Sequence, residues 1–165
     1  MTPTLLAVVL TSALPLGPEL SMPREAGEQF AGGEFLRNQQ EGFGGSTFGV
    51  PVKSTKLIVV APKSEDSLAA WSSYTGVWKR IPIKPQDGDA VVPIVGSSVA
   101  AVRVGKMVYG YGAEAGRWHW IETDTRVQPT VGTSDVTIRD GDWYYALSSK
   151  SGKWSGLNLD TGEIR

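Results

Sequence analysis

Apolar and polar positions in the C-terminal two thirds of the chain recur in blocks. From Pro93 to Trp118 the order is PIVGSSVAAVRVGKMVYGYGAEAGRW, and from Pro129 to Trp154 it is PTVGTSDVTIRDGDWYYALSSKSGKW. The two stretches superpose without a gap: Pro93 meets Pro129, Gly96 meets Gly132, Gly105 meets Gly141, Gly116 meets Gly152 and Trp118 meets Trp154. A weaker copy precedes them and closes on SSYTGVW, with Gly76 and Trp78 in the matching places. A period of 36 to 40 residues marks a repeat architecture, in which each unit buries its surface against a neighbour.

Within each unit the pattern predicts four short strands. A Pro-bearing extended piece comes first, near Pro51, Pro93 and Pro129. Proline donates nothing to a ladder, so this strand belongs at a sheet edge. A second strand follows as KLIVVAPK, VAAVRV or DVTIRD, and its hairpin tip carries Gly105 or Gly141 in two of the copies.

The third strand reads SLAAWSS, MVYGYG and WYYALS, aligned so that Trp71, Tyr111 and Leu147 coincide. Large apolar residues alternate there with Ala70, Gly110 and Ala146, which predicts burial on both faces, one of them close to a neighbouring backbone. A turn with one Gly two places before Trp ends it, as expected of a left-handed residue closing a hairpin. The fourth strand starts at Trp78, Trp118 or Trp154 and has Ile81, Ile121 or Leu157 three places on, which puts the two apolar residues on opposite faces.

The fold expected is all-β, with three tandem four-stranded antiparallel repeats at about 50–82, 91–122 and 127–160. A bulky residue placed before the turn Trp, as in Trp71 and Trp78, Tyr111 and Trp118, or Leu147 and Trp154, resembles the third-to-fourth-strand hairpin of kelch-type propeller repeats. The C-terminal LNLDTGEIR looks like the turn of quinoprotein-type propeller repeats. The resemblance implies propeller-like blades and carries no functional residue with it. There is no Gly-Gly doublet of the kelch kind before the third strand, and no quinoprotein cofactor set maps onto the chain. Propellers usually need at least four blades to close. Three units therefore imply two chains forming a six-bladed ring, membership of something longer, or the alternative of a β-trefoil.

Net charge is −1, from 16 basic and 17 acidic side chains, so no whole-molecule field argues for a nucleic-acid partner. The absence of Cys removes disulfides, thiolate catalysis and Cys-based zinc sites. Residues 1–16 contain the apolar run LLAVVLTSALPL, too short for a stable membrane span and the right length for a secretory signal peptide cleaved after Ala13. The expected location is secreted or periplasmic if that signal is real, and cytoplasmic otherwise. Residues 17–49 read as a Gly-rich flexible linker holding all four Phe, at 30, 35, 43 and 48.

Candidate chemistry is thin. His119 is the only His and is matched by Lys79 and Ser155, so an exposed strand residue is expected rather than a metal ligand. Asp87-Gly88-Asp89 and Asp140-Gly141-Asp142 occupy unlike places, and turn chemistry explains both. No nucleophile elbow is present, and GYGAEAG lacks the following helix that a phosphate loop needs. Lys63, Arg103 and Arg139 recur just before each hairpin tip; around an axis they would form a cationic ring, and as strand-end charges they would discourage edge pairing. Trp120, matched by Arg80 and Gly156, is not required by the repeat and is a candidate ligand contact.

These features imply an exported, non-enzymatic β-repeat module that binds a protein or glycan partner and needs no cofactor. The alternatives are part of a propeller-type enzyme acting on carbohydrate or a cell-surface polymer, and structural blades completing a ring in a homodimer.

Overall fold

A computed structural model describes residues 47–165. Among them there is no helix, and twelve strands form three four-stranded antiparallel sheets. The first sheet contains β1 (Val52–Lys53), β2 (Leu57–Val60), β3 (Ser67–Ser72) and β4 (Trp78–Pro82). The second contains β5 (Val92–Val95), β6 (Val99–Val104), β7 (Met107–Gly112) and β8 (Arg117–Glu122). The third contains β9 (Thr130–Val131), β10 (Asp135–Asp140), β11 (Trp143–Ser148) and β12 (Trp154–Asn158).

Each sheet follows chain order, and every ladder joins strands of the same repeat. A trefoil, whose barrel pairs strands between repeats, is therefore not the fold. The sheets are compatible with propeller-like blades. Strands β1, β5 and β9 are edges; Pro93 lies within β5, as proline chemistry allows at an edge, and Pro51 and Pro129 immediately precede β1 and β9.

Register repeats from sheet to sheet. Ile58 faces Trp71, Ala100 faces Tyr111 and Val136 faces Leu147; the third-strand residues in turn face Trp78, Trp118 and Trp154. The turn glycines Gly76, Gly116 and Gly152 have φ of 69°, 62° and 54°, the left-handed conformation that closes each hairpin.

Sheet two is sandwiched between the others. Leu57, Val59, Leu68 and Ala70 pack on its Ala100, Val102, Tyr109 and Tyr111. Its opposite face packs Val99, Ala101 and Val108 on Val136, Ile138, Tyr145 and Leu147. A Cβ at Gly110 would lie 2.6 Å from Leu147 Cδ1 and 3.1 Å from Trp154, so the small residue is needed for the sheets to approach.

Burial on both faces holds for β3 and β7 but not for β11, where Tyr144, Ala146 and Ser148 are exposed. Nothing among the described residues stacks on the far face of sheet three, whereas the outward residues of β3 are less open, with Ala69 9% exposed and Trp71 half-buried. Beyond β12, residues 163–165 turn back along it, with Gly156 and Arg165 exchanging backbone hydrogen bonds of 2.7 and 2.9 Å. The Arg165 guanidinium lies 3.8 Å from the Trp143 ring centroid and holds this return in place.

The expected signal peptide lies outside the described residues, as does the expected linker up to 46. Residues 47–49 are tied down: Thr47 N donates to Val91 O, Gly49 N donates to Ala61 O, and Phe48 packs against the core between sheets one and two. No helix among the described residues is long and apolar enough to cross a membrane.

Candidate functional site

The ladders dictate which side chains leave each end of the stack. On the outer face of sheet one, Lys53, Ile58, Trp71 and Trp78 form one cross-strand row, and Val60, Ala69 and Arg80 form the next. The corresponding rows on sheets two and three are covered by a neighbouring sheet except at Trp120, which ends the Val102, Tyr109 row of sheet two and is exposed. Trp118 is half-buried with its ring 5.1 Å from Tyr111, and Trp154 is 9% exposed. Trp78 is 53% exposed, and Tyr74 and Val77 in the adjoining turn are exposed as well. Lys56 Nζ donates to the Tyr74 hydroxyl at 2.7 Å, and this hydrogen bond raises the lysine above its ordinary pKa. An aromatic face flanked by Lys53, Lys56 and Arg80 results.

The outer face of sheet three has the rows Thr130, Thr137, Ala146, Ser155 and Arg139, Tyr144, Leu157, with Asp135 beside Ser148. It is more polar than the equivalent face of sheet two, where Val99, Ala101, Val108 and Gly110 stand in place of Asp135, Thr137, Tyr144 and Ala146.

The three cations singled out from sequence are not brought into equivalent places. Arg103 and Arg139 match in register, facing Val108 and Tyr144. Each bonds its own hairpin: Arg103 Nη1 to Gly105 O at 3.4 Å and Arg139 Nε to Gly141 O at 3.2 Å. The β2–β3 connection of the first sheet is two residues longer, so Ala61 takes the corresponding ladder position. Lys63 is displaced into the loop, beside Gly49. Trp120 lies on β8 opposite Tyr109, 52% exposed.

His119 is not the solvent-facing residue expected. It is half-buried towards sheet three, where its Nδ1 accepts from Trp154 N at 3.3 Å. Burial, and then Lys153 and Arg117, hold its pKa below the ordinary 6.5. The contact was hidden in the sequence because it joins residues 35 apart across two sheets.

The carboxylates serve turns and connections. Asp140 accepts from Asp124 N and Thr125 Oγ1, while Asp89 accepts from Gln86 N and pairs with Arg126 at 3.1 Å. A cleft of about 360 Å³ beside that pair is lined by Lys84, Lys106 and Glu122 among others, charges of both signs without a converging set. Among the described residues no group of three or more metal-binding side chains forms. Compared with known proteins, the chain matches no protein-family model and no curated protein.

Proposed function

We infer that the protein is an exported, non-enzymatic interaction module of divergent propeller-type blades, related in kind to kelch or quinoprotein repeats. It binds another macromolecule through an open sheet face. The observation supporting this is the exposure of Trp78, whose repeat equivalents Trp118 and Trp154 are covered by a neighbouring sheet. Aromatic residues on a flat, cation-edged surface are the usual anchors of protein interfaces.

Matched affinity baits test the reading. The wild-type chain and a Trp71→Ala/Trp78→Ala variant of unchanged far-UV circular dichroism are compared for retained partners. Selective loss with the variant supports the face as the binding surface; identical partner sets refute it. Trp120 offers a second contact, for stacking on a sugar ring. Its fluorescence, read as the difference between wild type and Trp120→Phe, should change on titration with neutral oligosaccharides, and no change removes the glycan role.

A further inference from the structure

We propose that the outer face of sheet one binds the outer face of sheet three on a second copy of this chain. Two copies then close head to tail into a ring of six sheets. The proposal rests on reading the open face as a binding surface and names its occupant.

The internal interfaces supply the rule for what mates with what. Leu57 shares a core cluster with Val95, and Val99 shares one with Val131. By register, the same two places on the free faces are held by Asp135 and Lys53. An apolar pair inside the stack is thus replaced by opposite charges, and both of these residues are exposed with no ion-pair partner among the described residues.

A second place shows a reversal of size. Leu68 packs in one cluster with Tyr109, and Val108 in the other with Tyr145. The corresponding outer-face positions are Tyr144 on sheet three, 41% exposed, and Ala69 on sheet one, 9% exposed, so the large residue has moved to the other side of the contact. A tyrosine still meets a smaller aliphatic residue across the joint, as the packed internal interfaces have it. At the third place Ala146 keeps the small side chain that Ala70 and Gly110 provide inside, and Trp71 with Trp78 supply the rings that would cover it.

The polarity of the sheet-three face is compatible with this contact. Ser148 occupies the place of Ser72, whose hydroxyl donates across the first internal interface to Ala113 O at 2.6 Å. Two heterologous contacts related by a two-fold axis close a ring without leaving a free face.

Sedimentation of the full chain tests the proposal, with Lys53→Asp, Asp135→Lys and the double exchange as variants. The wild type should be a closed dimer. Each single reversal should weaken it by at least about tenfold through like-charge contact, and the double exchange should restore it. Ala146→Arg should give monomers, and its unchanged circular dichroism would show that the chain still folds. A monomeric wild type overturns the proposal, as does a dimer indifferent to the reversals or an open polymer. None of these results bears on the bait comparison above: a monomer whose other partners still depend on Trp71 and Trp78 removes the second copy and keeps the binding face.

Discussion

The indole N–H of Trp118 donates to the carbonyl oxygen of Lys79 at 3.1 Å, while the buried indole N–H of Trp154, at the same place in the next sheet, has no hydrogen-bond partner. A hydrogen bond of this kind contributes about 1 kcal/mol, and a buried donor left unpaired costs about 1–3 kcal/mol. Trp118→Phe should therefore destabilise more than Trp154→Phe, by about 1–2 kcal/mol in urea unfolding. Equal losses would mean that the two rings are not in these different surroundings.

Gly110 is a point of close approach between the packed faces of sheets two and three. Gly110→Ala forces a Cβ to within 2.6 Å of Leu147 Cδ1 and 3.1 Å of Trp154. Overpacking at such a place costs about 1–3 kcal/mol. A thermal melt showing no loss would place the two sheets further apart.

Glu65, in the β2–β3 connection of sheet one, is the one non-glycine with positive φ among the described residues, at 58°. Gly105 and Gly141 have φ of 59° and 58° at the corresponding hairpin tips. Glu65→Gly relieves a left-handed conformation costing about 1–2 kcal/mol. It adds unfolded-state entropy worth about 0.4–1 kcal/mol. A net gain of about 0.5–1 kcal/mol is expected in denaturant unfolding, and a loss would show that the carboxylate is needed there.

Stability should fall in acid through His119. Its folded pKa lies below the ordinary 6.5, so the unfolded chain takes the proton first. The contribution is complete above 6.5 and is lost as pH drops through the folded value. His119→Gln should flatten that part of the stability profile, and an unchanged slope would assign it to other groups.

Much of the fold was legible because turns and edges carry their own chemistry. The edge strands at or just after Pro51, Pro93 and Pro129, the hairpin glycines and the Trp within the first two residues of each fourth strand stand where the residue pattern puts them. What escaped depends on contacts between units. The displacement of Lys63 follows from two added loop residues in the first repeat, invisible when the copies are aligned back from Trp78. The wet face of β11 and the bare Trp78 depend on which sheet stands at each end of the stack, which no single repeat records. His119 was misplaced for the same reason, its partner lying on another sheet.

The central claim is that the three sheets stack face to face in chain order. Nuclear Overhauser contacts test it most directly: the Leu147 methyl groups should show cross-peaks to the α protons of Gly110, and the Trp118 indole proton to the α proton of Lys79. If both are missing while the ladders within each sheet are intact, the repeats fold without burying one another, and the account is wrong.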